Sequence, residues 1–175
     1  MRTAKKVVGY SIYILIILVL ALAVKILVFQ RTVVEGASME GTLHDGDSLL
    51  VEKLSYRFSD PERFDIVVFP YSGEKGVYFV KRIIGLPGET VEIREGVLLI
   101  DSKVLPYRYN RDRIMNAGLV STEITLHDNE YFVMGDNVND SVDSRSPEVG
   151  NIDRDFIIGK VFLRVSPFDR FGLVK

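Results

Sequence analysis

The chain contains no cysteine and no tryptophan, and only two histidines, His44 and His127, in 175 residues. The missing thiols exclude cysteine nucleophiles, disulfides and thiolate metal sites together. They leave the compartment open, because an exported domain with a sufficient core folds without disulfides. Two isolated histidines with no H-E-x-x-H pattern argue against a zinc hydrolase. The net charge of −2 lacks the one-sided excess that a nucleic-acid partner calls for. Beyond residue 31 no stretch keeps a 3.6-residue apolar period over three turns, so a helical domain is excluded as well. Nothing in the composition calls for a metal or an organic cofactor.

What is present begins with an apolar run. Residues 7–24 read VVGYSIYILIILVLALAV, 18 positions without a charge, and Ile26-Leu27-Val28-Phe29 extends the run past Lys25. A membrane-crossing helix needs about 20 such residues. Lys25 lies near one end, where its stem can reach the interface. Arg2, Lys5 and Lys6 precede the run and place residues 1–6 on the cytoplasmic side by the positive-inside rule. The expectation is a single anchor over 7–29 in a cell membrane, with residues 30–175 on the outer face. A cleaved leader is the alternative: Ala21-Leu22-Ala23 has the small-x-small form, and a mature chain would then start at Val24.

The remainder reads as β. Ser48–Leu54, Phe64–Pro70, Val77–Ile84, Thr90–Arg94, Val97–Asp101, Tyr131–Met134 and Ile157–Val165 are short runs rich in β-branched and aromatic residues. Glu95-Gly96 is placed as a hairpin turn between two of them. The spacing predicts a mainly β domain of two packed or partly closed sheets, with a less regular lobe at about 88–130. The tail from Ser166 onward, with Phe168, Arg170 and Phe171, suits either a membrane surface or a docked terminus.

Two residues carry the chemistry. Ser38 lies in Gly36-Ala37-Ser38-Met39-Glu40-Gly41-Thr42-Leu43, soon after the apolar run. Lys81 lies in Tyr78-Phe79-Val80-Lys81-Arg82-Ile83-Ile84, where strand alternation puts Phe79 and Ile83 on its face. A serine hydroxyl attacks a carbonyl only when a base takes its proton. A lysine can be that base only if burial makes its ammonium form costly, since the unperturbed pKa is near 10.4. Taken alone, Ser38 reads as a turn serine and Lys81 as a solvent-facing strand lysine. Gly135-Asp136-Asn137-Val138-Asn139-Asp140-Ser141-Val142-Asp143-Ser144-Arg145 is a third polar segment; its order does not fit an EF-hand loop.

Together these segments resemble the type I signal peptidases, membrane-bound leader peptidases with a Ser-Lys dyad. The resemblance rests on an N-terminal apolar segment, then S-M-x-x-T-L, D-I-V-V-F, K-R-x-I-G-L-P-G and G-D-N-x-x-x-S-x-D-S-R, in that order. The short chain and single anchor are similar to the Gram-positive type. The resemblance implies a transmembrane helix followed by a signal-peptidase or LexA-like domain of antiparallel sheets. It implies Ser38 as nucleophile, Lys81 as general base, and Ser141 as the serine that orients the lysine. Asp143 and Arg145 are implied as a supporting ion pair, Met39 as a side chain packed under the dyad, and Asp65 as a structural residue of its strand. Exported preproteins cleaved after Ala-x-Ala are the implied partners, with the bilayer. Val34 and Val80 are candidate pocket walls, with plain core valines as the alternative.

An oxyanion would be held by backbone N–H groups, led by that of Ser38, with Gly36 permitting the conformation that aims them. Three positions depart from the pattern: Gly41 stands where relatives carry Pro, Val138 where they carry Arg, and Phe64 where they carry Gly. Two other readings remain at this stage: a LexA-like self-cleaving protein, and a membrane-anchored β domain that binds exported chains without cutting them.

Overall fold

The computed structural model describes residues 10–20, 22, 28–105 and 112–174. Residues 1–6, with Arg2, Lys5 and Lys6, and 7–9, 21 and 23–27 of the expected anchor lie outside the described residues. Among them are Lys25 and the Ala21 and Ala23 positions of the alternative cleavage site. Residues 10–20 are helical with every side chain exposed. Among the described residues, no helix is long and apolar enough to cross a membrane.

Among the described residues, twelve strands form two sheets. In chain order they are β1 (Phe29–Val33), β2 (Ser48–Glu52), β3 (Ile66–Pro70), β4 (Tyr78–Gly85), β5 (Thr90–Arg94), β6 (Val97–Ile100), β7 (Lys103–Val104), β8 (Ile124–Thr125), β9 (Glu130–Met134), β10 (Ile152–Asp153), β11 (Gly159–Ser166) and β12 (Gly172–Leu173). The larger sheet runs β1-β2-β11-β3-β4-β9-β10, with β12 paired to β11; the smaller runs β7-β6-β5-β8. Every pairing is antiparallel.

The unbroken Ile66-Val67-Val68-Phe69 run is a strand buried on both faces rather than a half-exposed one. Ile66 and Val68 join Val34, Met39, Leu43, Leu49, Val51 and Val161 in one cluster. Val67 and Phe69 join Ile83, Tyr131, Val133 and Ile157 in another. Burying each such side chain stabilises the fold by about 1.5–3 kcal/mol. β4 reaches a third cluster through Ile84, where Val91, Ile93, Leu98 and Ile100 of the smaller sheet meet Phe132 and Met134. Glu95 and Gly96 link β5 to β6 with φ of 54° and 79°, the two left-handed residues of a tight hairpin loop.

One finding corrects the sequence reading, and a second decides between its alternatives for the tail. Phe29, expected as the last anchor residue, opens β1, which pairs with β2 from Phe29↔Glu52 to Val33↔Ser48. A strand that directly continues an apolar run has no boundary of its own in the sequence. At the other end the tail is docked. β12 pairs with β11, Arg170 forms an ion pair with Asp47 at 3.0 Å, and Arg164 Nε donates to Arg170 O at 2.6 Å. Phe168 and Phe171 remain exposed on this docked segment.

The departures from the family pattern acquire physical content. Phe64 has φ 73°, a left-handed value that costs a non-glycine residue about 1–2 kcal/mol, and glycine at that position would avoid the cost. Gly41 has φ 96°, which proline, fixed near −65°, cannot adopt; the turn after Ser38 therefore takes a course of its own. Val138 is buried in the third cluster, so apolar packing stands where an arginine's polar contacts would be.

Candidate active site

β4 and the turn following β1 bring Lys81 and Ser38 together across 43 positions of sequence. Lys81 Nζ lies 2.7 Å from Ser38 Oγ. Lys81 is 4 % exposed, and its Nζ sits 4.9 Å from the centre of the Phe79 ring. Phe79 is itself stacked on Tyr71, with ring centres 4.5 Å apart. Register explains the placement: Lys81 pairs with Val67, and Phe79 with Phe69, so the lysine rises from a face of apolar neighbours. This burial pushes the Lys81 ammonium down to a pKa of about 8; the negative charges of Asp143 and Asp136 pull the other way, and Arg145 adds slightly to the drop. At pH 7.4 about a fifth of such lysines are neutral, against roughly one in a thousand unperturbed.

The pair opens into a cleft of about 780 Å³, bordered by the 31–39 segment, the 76–81 segment and Asp140, Ser141 and Val142. Val34 and Val80 both line it, Val34 buried and Val80 half-buried. Met39 also lines the cleft while its side chain is buried in the cluster with Val34 and Leu43. Ser141 borders the cleft too. The hydrogen bond expected between it and Lys81 is not formed: Ser141 Oγ is buried without a hydrogen-bond partner. Gly135 holds the hydroxyl close, because a Cβ there would fall 2.3 Å from Ser141 Oγ and 2.4 Å from Ser38 O. Gly36 has φ 89°, as its conformational role requires, but its N–H donates to Asp45 Oδ1 at 2.8 Å and is not available to an oxyanion.

Two buried ion pairs frame the site. Arg145 Nε and Nη2 donate to Asp143 Oδ1 and Oδ2, both at 2.8 Å. Asp143 also accepts the Gly135 N–H at 3.0 Å, fixing the start of the loop. Arg82 makes a matching fork with Asp136, at 2.8 and 2.7 Å, and reaches Phe64 O and Thr42 Oγ1. The sequence reading gives Asp136 no role. Asn137 was missed in the same way. Its N–H donates to Ser38 O at 3.0 Å and its Nδ2 to Ala37 O at 3.2 Å. The signal for both lay in the polar density of the 135–145 segment, but their partners are remote in sequence. Asp65 accepts from Tyr56 at 2.7 Å and pairs with Lys160 at 2.5 Å, which makes it a brace at the head of β3.

A hydroxyl against a buried, partly neutral amine, in an open cleft between antiparallel strands, defines a serine hydrolase of the lysine-assisted kind. Comparison with known proteins agrees. Residues 7–166 match the family described as "Signal peptidase, peptidase S26", and the chain belongs to that family. Signal peptidase I of Bacillus licheniformis is 37 % identical over 163 residues, covering 89 % of this chain and 87 % of that protein. Signal peptidase I T of Bacillus subtilis (strain 168) is 36 % identical over 169 residues, covering 93 % and 86 %. Among solved structures, a signal peptidase I from Enterococcus faecalis V583 is 32 % identical with a TM-score of 0.47, covering 59 % of this chain and 97 % of that one.

Proposed function

We propose that this protein is a membrane-anchored endopeptidase that removes N-terminal signal peptides from exported preproteins after small-x-small sites such as Ala-x-Ala. Family membership supports the substrate class. The observation that carries the mechanism is the 2.7 Å approach of a nearly buried Lys81 amine to Ser38 Oγ. In the neutral form Lys81 accepts the Ser38 proton as Oγ bonds to the scissile carbonyl carbon. The oxyanion is held by the Ser38 N–H, which donates to no other group among the described residues. Collapse breaks the C–N bond, and the amine leaves with the proton from Lys81. Water, deprotonated by Lys81 Nζ, then adds to the ester carbonyl, and Ser38 Oγ leaves with the proton that Lys81 returns.

Val34 and Val80 are proposed as walls of shallow pockets for small side chains of a substrate extended along the cleft. Asp143, Arg145 and Met39 are proposed to support the dyad, and Ser141 to shape the cleft beside it. The apolar segment 7–29 is proposed to hold the domain at the outer membrane surface with residues 1–6 in the cytoplasm, close to where a preprotein's own apolar segment presents its cleavage site. Only six residues separate Arg31 from Ser38.

The test incubates the detergent-solubilised full chain with a preprotein whose leader ends in Ala-x-Ala. The parent cleaves at that site, while Ser38→Ala and Lys81→Met leave the preprotein intact. Cleavage by Lys81→Met removes the assigned base. Cutting of its own chain alone, with added preprotein untouched, favours a self-cleaving protein instead.

A further inference from the structure

We infer that Asn137 is a positioning residue for the oxyanion donor, aiming the Ser38 N–H by gripping the far side of its own peptide unit. This rests on the Ser38–Lys81 mechanism above and extends it. The Ala37 carbonyl and the Ser38 N–H belong to one peptide plane, and in a trans peptide the two point in opposite directions. Whatever holds Ala37 O therefore fixes where the Ser38 N–H points.

Asn137 Nδ2 donates to Ala37 O at 3.2 Å, and the Glu40 N–H donates to the same oxygen at 3.0 Å. The Asn137 N–H holds the next carbonyl, Ser38 O, at 3.0 Å. One residue thus spans the nucleophile's peptide unit and the unit after it, from 100 positions away. The Glu40 contact is local to the turn, and Gly36 and Gly41 on either side have left-handed backbones that restrict the turn little. Asn137 is the contact that ties the turn to the rigid 135–145 loop. That loop is anchored by the Asp143–Arg145 and Asp136–Arg82 forks. Donors on a carbonyl also polarise its peptide and strengthen the hydrogen bond its N–H can give.

Asn137 does not itself line the cleft, and its hydrogen bonds go to the Ala37 and Ser38 carbonyls rather than to Lys81. Its loss should therefore lower kcat and leave the titration of the base and the binding of substrate as they are. The experiment compares the full-length parent with Asn137→Ala and Asn137→Asp. The aspartate keeps the side-chain size and the backbone N–H but turns an oxygen on Ala37 O, so it carries the test if the alanine variant does not fold. Per folded enzyme, kcat should fall about 10- to 100-fold with KM within twofold. The pH midpoint of Asn137→Ala should stay near that of the parent, while the aspartate, which adds a negative charge beside the Ser38 turn, is read by kcat and KM alone. A substrate-derived peptide aldehyde, which adds to Ser38 Oγ and places an oxygen in the same position, should lose affinity by the same factor as kcat.

Parent-like kcat in the folded variants overturns the inference, as does a rise in KM alone or a shifted pH midpoint in Asn137→Ala. These results leave the dyad standing if the parent cleaves and Ser38→Ala does not. If that first comparison fails, the dyad and this inference fall together.

Discussion

Lys81 is a cation placed where a cation is costly, and the cost has a measurable sign. Its pKa falls from 10.5 unfolded to about 8 folded, with burial as the leading cause. Between those two values the unfolded chain binds the extra proton, so stability rises with pH across that window. Below pH 8 the whole penalty is present, on the order of 3 kcal/mol. Lys81→Met, similar in length and without charge, should therefore stabilise the fold by about 1–3 kcal/mol at pH 7. The gain should shrink as pH climbs from about 8 towards 10.4, as urea unfolding at several pH values would read. In the parent, kcat/KM should rise through a midpoint near pH 8 as the ammonium deprotonates. A midpoint that stays above 10 would contradict the burial argument.

Gly135 is the second residue whose size decides function. A Cβ there meets Ser141 Oγ at 2.3 Å and Ser38 O at 2.4 Å, distances no real contact tolerates. Gly135→Ala must push the nucleophile turn away from the loop. A misplacement near 1 Å costs roughly 10²-fold in rate. The expected result is a kcat loss of about that size in protein that still unfolds cooperatively. An alanine variant with parent kcat would show that the turn has slack.

At the scale of elements, what could be read from the chain follows from how each piece is paired. β3, β4, β5, β6 and β9 were legible because β-branched runs ended at Gly, Pro or Asp-Asn turns, and Glu95-Gly96 marked its own hairpin. β1 was concealed because its Phe29 continues an apolar run. β10 and β12 are two residues each, too short to carry a period, and exist only by pairing with β9 and β11. The dyad was legible from its motifs, but Asp136 and Asn137 were not given roles. Their partners are Arg82, 54 positions away, and the carbonyls of Ala37 and Ser38. A carbonyl is on every residue, so no spacing in a sequence announces it.

The small lobe also reaches the site by backbone contacts of this kind. Leu119 N–H donates to Arg145 O at 2.9 Å, and Arg145 Nη1 donates to Asn116 O at 3.2 Å. Met115 N–H donates to Asn139 Oδ1, and Asn139 Nδ2 to Arg113 O. The 113–119 segment thus straps down the loop that carries Ser141, Asp143 and Arg145. Gly118 permits the closest approach: its φ is 53°, and a Cβ would fall 2.1 Å from Arg145 O. Gly118→Ala combines a left-handed alanine with a backbone clash. It should cost about 2–4 kcal/mol, seen as a lower urea midpoint. Unchanged stability would mean that the strap adds nothing to the loop's order.

For the whole molecule, the question is how the apolar N-terminal segment relates to the domain it precedes, and β1 makes that separable by experiment. β1 is an edge strand of the larger sheet, and it covers β2, whose Leu49 and Val51 belong to the core. A chain starting at Val28 retains β1 and should fold with the parent's melting behaviour. A chain starting at Val34 loses five strand residues, bares the edge of β2, and should melt lower or associate through that edge. The Val28 chain then isolates the contribution of tethering. Towards a short soluble peptide its kcat/KM should match the full chain, since the Ser38–Lys81 geometry does not depend on residues before 28. Towards a preprotein embedded in vesicles the full chain should be faster, by about 10²-fold if the segment acts as an anchor that confines enzyme and scissile bond to one surface. Equal rates on the embedded preprotein would show that the domain finds the bilayer without the segment.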